Sequence, residues 1–244
     1  MAEVKGLTYV AQLYEDILNC VELDHTKKAL EIGIGMGQAT QPILDTGCSL
    51  MAVEQDEKMA AICAETFADV PAFSVICSKF EDFEGEKDSY DLIYSASAFH
   101  EVDQAIGYTK SYELLKSGGV FVRFSNHTMR EIARPNVSAA LQKLYSIYLP
   151  RTGTPRPYNE MQAKKRAELA LKYGFTDVSS KRYYRTRTYT TSEFLAYLAT
   201  DEDHLMLSET KREAFFNEIR KTLMRYGDKV TLYDTIDLQI AKKP

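Results

Sequence analysis

The sequence predicts a single α/β domain built on a doubly wound, mostly parallel sheet of seven strands. Two observations lead to this fold class. Apolar strand patterns alternate with helical patterns over the first two thirds of the chain, and a glycine-rich segment directly follows the first strand. Strands separated by helical crossovers give a parallel sheet with helices on both faces. With 244 residues and 45% hydrophobic content, the chain can bury one full core of this kind.

The first part of the chain supplies the elements of this sheet in order. Strands are predicted at residues 29–34, 49–54, 72–77, 90–95 and 119–125, and helices at 38–45, 58–67 and 104–115. Parallel sheets of this class bind ligands beyond the carboxyl ends of their strands, where the strand order reverses. The glycine-rich segment after the first strand falls at that edge.

The pattern changes after residue 125. Residues 128–149, 160–173, 192–199 and 208–226 are predicted to be mostly helical, and residues 175–190 and 229–243 to be extended. We interpret residues 128–158 and 192–226 as additions that cap the carboxyl edge of the sheet, and residues 1–25 as an N-terminal helical segment. All of them are expected to belong to one domain, residues 1–244.

The composition argues against two classes of partner. The formal net charge is -5, so the chain has no overall positive field to hold a nucleic-acid backbone. The longest apolar stretches are far shorter than the roughly 20 residues of a bilayer span. The N-terminus also lacks a charged start followed by an apolar signal region. We therefore expect a cytoplasmic protein with no nucleic-acid or membrane partner.

The cysteines indicate neither a metal site nor a disulfide framework. Cys20, Cys48, Cys63 and Cys77 form no CxxC pair and are not accompanied by clustered histidines. We expect ordinary reduced thiols, most of them buried.

The segment "KKALEIGIGMGQAT" indicates the kind of ligand. A dinucleotide fingerprint has the pattern GxGxxG, and its third glycine lets the following helix pack closely. Here Gly33, Gly35 and Gly37 give GxGxG, and Gln38 occupies the position of that third glycine. Glu31 precedes the loop, and a carboxylate there would repel a pyrophosphate and attract an ammonium group. S-adenosylmethionine carries an ammonium and a sulfonium and no phosphate.

Two further positions suit a nucleoside. Glu54 ends the second predicted strand, where a carboxylate can accept both ribose hydroxyls; an exposed acid at a strand end is the alternative. Phe80 and Glu81 follow the third strand in "SKFEDF". An aromatic face with an acid or a backbone amide suits adenine and its exocyclic amine, although a phenylalanine that fills the core explains this loop equally well.

With these residues in place, the chain resembles the class I S-adenosylmethionine-dependent methyltransferases of the small-molecule type, which have a Rossmann-like fold. The resemblance covers nearly the whole chain and rests on "LEIGIGMGQAT", "AVEQDEKM", "SKFEDF", "YDLIYSASAFHEV" and "LLKSGGVF". The carboxyl half, with "YGFTDV" and "YTTSEFLAYLAT", is similar to a bacterial subgroup of uncharacterised methyltransferases. The chain departs from that subgroup in two places, since it lacks an N-terminal Arg-Pro pair and carries Glu101 in place of an aromatic residue.

The resemblance implies S-adenosylmethionine as the cofactor and a small-molecule acceptor. The implied cofactor-binding residues are Glu31, Gly33, Gly35, Gly37, Gln38, Glu54, Gln55, Phe80, Glu81 and Ser95. The glycines would line the methionine moiety, Glu31 would reach the ammonium through water, and Glu54 would bind the ribose. Amino-methyltransferases that act on nucleic acids carry an Asn or Asp, two prolines and an aromatic residue after the fourth strand. Residues 95–98, "SASA", do not match that motif.

His100 is the predicted catalytic residue. Methyl transfer from a sulfonium is an in-line displacement, and it needs a base only when the acceptor must lose a proton. His100 directly follows the fourth predicted strand; a pocket wall or a helix cap is the alternative role.

The aromatic side chains of the two additions suggest a roof over the acceptor pocket. Packing within a core explains the same residues equally well. These residues are Tyr145, Tyr148, Phe194, Tyr197, Phe215 and Phe216.

A basic run in the predicted strand at residues 175–190 raises the question of RNA binding. The run contains Lys181, Arg182, Arg185 and Arg187. Because alternate residues of a strand face opposite sides, the charges divide between two faces, which favours a solvated edge strand. One face could still offer Arg185 or Arg187 to an anionic group of the acceptor.

Two other functions stay open at this point. One is a nicotinamide-dependent oxidoreductase, which the missing third glycine and Glu31 disfavour. The other is a protein that binds S-adenosylmethionine without transferring its methyl group.

Overall fold

The computed structural model describes residues 9–244, and of Glu202 only the backbone. The predicted N-terminal helical segment is represented by helix α1 (Ala11–Leu18), whereas residues 1–8 of that prediction lie outside the described residues. Helix α1 buries Leu13, Tyr14 and Ile17, which occupy one side of the helix.

The strands and helices have the following bounds. The strands are β1 (Lys28–Ile32), β2 (Ser49–Glu54), β3 (Phe73–Cys77), β4 (Tyr90–Ala96), β5 (Leu115–Arg130), β6 (Thr176–Thr190) and β7 (Lys229–Lys242). The helices after α1 are α2 (Gln41–Leu44), α3 (Glu57–Thr66), α4 (Gln104–Leu114), α5 (Pro135–Tyr148), α6 (Glu160–Ala167), α7 (Thr191–Leu198), α8 (Glu202–Leu205) and α9 (Glu209–Arg225). Short 3₁₀ helices span Pro150–Thr152 and Glu168–Tyr173.

The seven strands form one sheet in the order β3-β2-β1-β4-β5-β7-β6. Strands β3, β2, β1, β4 and β5 pair in parallel. Strand β7 runs antiparallel to β5, since Gly118 donates to the carbonyl of Lys243, and Lys243 donates to the carbonyl of Gly119. The strand order reverses between β1 and β4, so the predicted doubly wound, mostly parallel fold is confirmed.

The largest local differences from the sequence prediction follow β4. Strand β5 continues to Arg130, well beyond the predicted end at residue 125, because its polar second half still pairs with β7. The backbone N–H of Glu131 donates to the carbonyl of Thr231 at 2.8 Å. Glu131 has a φ of +52°, and helix α5 begins only at Pro135, whose fixed φ suits a first helical turn.

The chain divides into two compact units. Unit 1 comprises the described part of Met1–Asn126 together with Asn159–Tyr183 and Ile236–Pro244, and unit 2 comprises His127–Tyr158 and Tyr184–Thr235. Both predicted additions, residues 128–158 and 192–226, fall within unit 2. Their capping role and the single domain stay predictions.

Each unit has its own apolar packing. Unit 1 contains two clusters of buried side chains, one that includes Leu13 and Leu92 and another that includes Leu30 and Phe121. Unit 2 contains a third cluster, which is formed mainly by α5, α7 and α9. Burial of this kind contributes roughly 25 cal/mol for each Å² of apolar surface removed from water.

The cysteines differ from the expectation of mostly buried thiols. Cys48 and Cys63 are buried, whereas Cys20 and Cys77 are exposed. Within residues 9–244, no helix is long and apolar enough to cross a bilayer.

Candidate functional site

A tight glycine loop follows β1 at the point where the strand order reverses. Gly33, Gly35 and Gly37 have φ values of +71°, +55° and +78°, which L side chains rarely adopt. A Cβ atom on Gly33 would lie 2.3 Å from the Cβ atom of Ala98, and one on Gly37 would lie 2.8 Å from the ring of Phe67. The loop therefore packs tightly against the segment after β4 and against the end of α3.

Gly35 stands at the tip of the loop, and both its backbone N–H and its carbonyl make hydrogen bonds. The backbone N–H of Gly35 donates to Glu54 Oε2 at 2.9 Å, and its carbonyl accepts a hydrogen bond from Cys63 Sγ at 3.1 Å. The backbone N–H of Met36 donates to Gln38 Oε1 at 3.2 Å. A Cβ atom on Gly35 would meet Gln38 Oε1 at 3.6 Å, which is ordinary contact, so the space beside this glycine is not filled by the described residues.

Glu54 is a buried acid whose two oxygens organise the backbone at the end of β2. Its residue is 7% exposed, so the alternative of an exposed acid at a strand end is wrong. Glu54 Oε1 accepts from the backbone N–H of Asp56 at 2.9 Å, while Oε2 accepts from Gly35. Each carboxylate oxygen can accept more than one hydrogen bond, so Glu54 keeps capacity for further donors.

Glu31 is fully buried beneath the loop. Its Oε2 accepts hydrogen bonds from Thr40 Oγ1 at 2.7 Å and from Tyr94 Oη at 2.8 Å, whereas Oε1 has no hydrogen-bond partner among the described residues. Burial raises the pKa of Glu31 to about 8, and the nearby charge of Glu54 acts in the same direction. Glu31 therefore binds a proton more readily than an ordinary carboxyl, and the repulsion of a pyrophosphate that the sequence argument assumed applies only to its ionised form.

His100 lies in a turn between β4 and α4. Its side chain is 65% exposed, and its Nε2 is 3.9 Å from Glu101 Oε1. Glu101 Oε2 accepts a hydrogen bond from Gln55 Nε2 at 2.7 Å, which links the segments after β2 and β4. The predicted residues His100 and Gln55 thus lie on one short chain of contacts, with Glu101 between them.

The other predicted cofactor residues have partners within the protein. Phe80 is buried next to Phe83, with ring centroids 6.4 Å apart, so it fills the core as the alternative interpretation expected. Glu81 Oε1 accepts from the backbone N–H of Asp103 at 2.9 Å. Ser95 is buried and donates to the carbonyl of Ile32 at 2.8 Å. Contacts of Phe80, Glu81 and Ser95 with a cofactor stay predictions.

Several residues of the site were missed by the sequence analysis. Thr40 and Tyr94 bind Glu31, and Ala98 packs on Gly33. Each acts through a contact between distant segments, and no local pattern reveals such a contact. The sequence did contain one indication of such contacts. Glu31 lies within an apolar predicted strand, and a buried acid needs hydrogen-bond donors nearby.

Only part of the basic run in β6 has the solvated environment that was predicted. Strand β6 lies at the edge of the sheet, as predicted. Arg187 is only 14% exposed in its side chain and binds the buried Asp234 through Nε at 2.7 Å and Nη2 at 3.1 Å. Arg185, 21% exposed, also reaches Asp234, at 3.1 Å. These two arginines pair with a buried acid of unit 2 and are mostly shielded from solvent, which corrects that part of the prediction.

The aromatic residues of the two additions build the core of unit 2. Tyr145, Phe194 and Phe215 are buried there, and Tyr148, Tyr197 and Phe216 pack against them. Core packing therefore accounts for these six residues, and a roof over an acceptor stays a prediction.

Comparison with known proteins identifies the region that contains this site. A family model described as a methyltransferase domain matches residues 30–123. Residues 30–123 are thus similar to a methyltransferase domain. The matched region extends from β1 into β5 and contains the glycine loop, Glu54 and His100. The resemblance that the motifs indicated is confirmed for this region.

The chain is also similar to curated relatives and to solved structures. An uncharacterized methyltransferase of Bacillus mycoides is 32% identical over 112 residues, which are 45% of this chain and 51% of that protein. The chain spans about half the length of the curated relatives it matches. A candidate type II methyltransferase from Anaeromyxobacter dehalogenans has a TM-score of 0.63 at 17% identity, with coverage of 96% of this chain and 97% of that one.

A third comparison is with a structure that was determined with a ligand. Phosphoethanolamine N-methyltransferase 2 of Haemonchus contortus, in complex with S-adenosyl-L-methionine, has a TM-score of 0.58 at 18% identity. The match covers 96% of this chain and 52% of that chain. At this level of identity the likeness shows a shared fold.

Proposed function

We propose that this protein binds S-adenosylmethionine at the glycine loop and transfers its methyl group to a small-molecule acceptor in the cytoplasm. The observation that carries the proposal is the hydrogen bond from Gly35 to Glu54, which joins the loop after β1 to the acid at the end of β2. The methyltransferase domain at residues 30–123 supports the same activity. A protein of the same fold was crystallised with S-adenosyl-L-methionine.

The residues of the site fit the chemical groups of this cofactor. Glu54 has lone pairs left for the two ribose hydroxyls. Glu31 presents one buried oxygen without a partner among the described residues, which suits an ammonium group. Space is left beside Gly35, where a side chain would otherwise stand. When bound, the cofactor would supply a methyl group already activated by the sulfonium.

The protein's own part in the reaction is mainly alignment. The glycine loop, fixed by Glu54 and by Ala98, would hold the donor in one orientation and so reduce the entropy cost of an in-line attack. His100 would accept a proton from an acceptor that must lose one, such as a phenol. Its exposed side chain leaves the imidazole accessible to an acceptor.

Calorimetric binding of three ligands tests the cofactor. We expect S-adenosylmethionine and S-adenosylhomocysteine to bind in the micromolar range, and NAD much more weakly, because Gln38 replaces the glycine of a dinucleotide loop. Equal affinity for NAD and S-adenosylmethionine would contradict the proposal and favour a nicotinamide-dependent oxidoreductase.

Turnover separates the enzyme from a protein that only binds the cofactor. The purified protein is incubated with S-adenosylmethionine and a panel of small phenols, amines, carboxylates and carbon acids, and the formation of S-adenosylhomocysteine is followed. Acceptor-dependent formation supports methyl transfer. Tight binding of S-adenosylmethionine with no turnover on any member of a broad panel would favour the binding protein.

A further inference from the structure

Strand β5 carries an arginine within an apolar run. Arg123 belongs to "GVFVRF", and every residue of this run is buried. Only 4% of Arg123 is exposed, and burial lowers the pKa of its guanidinium. The charges of Asp237 and Arg166 act on this pKa in opposite directions. Because a buried charge is unfavourable unless nearby groups compensate it, the position of this arginine requires an explanation.

The contacts of Arg123 lead from β5 to helix α4 and to the turn before that helix. Arg123 pairs with Ser95, one residue before β4 ends, so its side chain starts close to this turn. Its Nη1 donates to Tyr108 Oη at 2.6 Å and to Gln104 Oε1 at 3.3 Å. The guanidinium carbon also lies 4.4 Å from the centroid of the Phe99 ring. These hydrogen bonds and the cation–π contact compensate part of the cost of burial.

Gln104 connects Arg123 to the turn that carries His100. Its Nε2 donates to the carbonyl of Phe99 at 3.0 Å and to that of Val102 at 3.2 Å, and His100 lies between these two residues in the chain. An amide side chain has an acceptor oxygen and a donor nitrogen, which exchange places when the amide rotates. Because Arg123 can only donate, it holds the oxygen of Gln104 and so directs the nitrogen toward the two carbonyls.

The same turn has two further ties, both at exposed positions. Glu101 accepts from Gln55 Nε2, and the backbone N–H of Asp103 donates to Glu81 Oε1. Water competes for hydrogen bonds at such positions, so each of them adds little rigidity. The contact that runs through Gln104 reaches the turn from the buried side instead.

We infer that Arg123 is a positioning residue, which acts through Gln104 to fix the turn of residues 99–102 and with it the place of His100. The inference rests on the proposed function for the role of His100. It explains why a guanidinium is buried in an apolar strand, since an apolar side chain at position 123 would leave the amide of Gln104 free to rotate. A rotated amide would place its oxygen against the two carbonyls, which repel it.

The test follows two signals of the turn by NMR, in the protein without added ligand. One is hydrogen exchange of the Glu101 amide, which donates to the carbonyl of Ala98 at 3.0 Å. The other is the imidazole resonance of His100. In Arg123→Met, which removes the charge and keeps an apolar chain, we expect the amide to exchange at least tenfold faster and the imidazole resonance to shift or broaden. Arg123→Lys keeps a charged donor and should show smaller changes.

Gln104→Glu tests the connection itself. The carboxylate keeps an acceptor for Arg123 but cannot donate to the two carbonyls of the turn. It should therefore change both signals in the same way as Arg123→Met, although the buried guanidinium now has a charged partner. This variant decides the question if Arg123→Met does not fold.

Arg187→Met is the matched control, because it also removes a largely buried guanidinium but belongs to unit 2. It should leave both signals of the turn as in the wild type. The imidazole resonance of the exposed His25 serves as an internal reference. Wild-type signals in either Arg123→Met or Gln104→Glu would overturn the inference, as would an equal acceleration of exchange throughout unit 1. A wild-type protein that does not bind S-adenosylmethionine would instead overturn the proposed function, and these signals would not change.

Discussion

The carboxylate of Glu54 and the backbone N–H of Gly35 are joined by a hydrogen bond of 2.9 Å. Because Glu54 ends β2 and Gly35 stands at the tip of the loop after β1, this bond makes the acid part of the loop structure. The other oxygen of Glu54 binds the backbone of Asp56, at the start of α3. The acid thus fixes the loop and the beginning of a helix together, besides any hydrogen bond that it makes to a ligand.

Replacement of Glu54 should affect both ligand binding and stability. Glu54→Ala removes a charged acceptor, and hydrogen bonds to charged groups are worth about 1.5–3 kcal/mol each. We expect S-adenosylhomocysteine to bind at least tenfold more weakly and the melting temperature to fall. Glu54→Gln keeps one oxygen and should show a smaller loss of both. Calorimetry and thermal unfolding check these outcomes.

The matched control for this series is Glu57→Gln. Glu57 is an exposed acid in the first turn of α3, three residues along the chain. It should leave ligand affinity unchanged. Wild-type affinity in Glu54→Ala would show that Glu54 does not bind the ribose.

The close contact between Gly33 and Ala98 predicts a rescue. In Gly33→Ala the new Cβ atom would lie 2.3 Å from that of Ala98, and the φ of +71° would be strained. We expect a loss of about 2–5 kcal/mol of unfolding free energy from these two sources. Adding Ala98→Gly should recover about 1–3 kcal/mol, which is the part due to the clash. A double-mutant cycle in urea measures the coupling, and purely additive effects would refute the contact.

Much of the fold follows from local sequence patterns. Strand β2 has the bounds that were predicted, and β4 and α4 differ from their predictions by one residue. In these elements the apolar residues recur at a regular spacing, and recognisable residues mark the ends. One such residue is Asp103, whose side chain caps α4. The glycine loop was predicted from its three glycines, which readily adopt the positive φ values found there.

The parts that the sequence did not reveal depend on contacts between distant segments. The bond between Tyr94 and Glu31 joins β4 to β1, and the pair of Arg187 and Asp234 joins β6 to β7. An arginine on a predicted edge strand is expected to be solvated. The acid on the neighbouring strand and the rings of Tyr189 and Tyr197 keep Arg187 inside. The raised pKa of Glu31 was also not predicted. It results from burial, whereas sequence alone assigns a carboxyl its ordinary pKa near 4.5.

The raised pKa of Glu31 predicts a dependence of stability on pH. Burial raises its pKa from 4.5 to about 8, so the folded state holds a proton that the unfolded state has lost. The resulting stabilisation is complete below pH 4.5 and is lost as the pH rises through about 8. The groups that interact electrostatically with Glu31 are Tyr14, Tyr94, Glu54 and Cys63.

Glu31→Gln isolates this effect, because the amide stays neutral at every pH. Urea unfolding between pH 5 and pH 9 should show that the wild type loses more stability than the variant as the pH rises. Glu57→Gln, an exposed acid, should parallel the wild type. Parallel curves for Glu31→Gln and the wild type would show that Glu31 is ionised throughout this range.

Asp234 should be important for the stability of unit 2. It is fully buried in its side chain and binds Arg187 through two hydrogen bonds. Asp234→Asn removes the charge that compensates a largely buried guanidinium, and breaking a buried ion pair costs about 3–5 kcal/mol. We expect a loss of that size in urea unfolding. Asp69→Asn, at an exposed acid, serves as the control. If Asp234→Asn lost less than about 1 kcal/mol, the range of surface ion pairs, the prediction would be contradicted.

The role of His100 is tested last, because it depends on an identified acceptor. If His100 removes a proton from that acceptor, His100→Ala should lower kcat by about 100-fold or more, the usual contribution of a general base. S-adenosylhomocysteine should bind as before, since the exposed imidazole contacts Glu101 and not the glycine loop.

The control and the contrary outcome for His100 are well defined. His25→Ala, an exposed histidine before β1 at the other end of that strand, should leave kcat unchanged. A rise in the acceptor KM with little change in kcat would make His100 a wall of the acceptor pocket. Unchanged kcat and KM would remove His100 from the reaction, and catalysis would then depend on the alignment of donor and acceptor by the glycine loop, since an activated methyl group needs little more than a fixed line of attack.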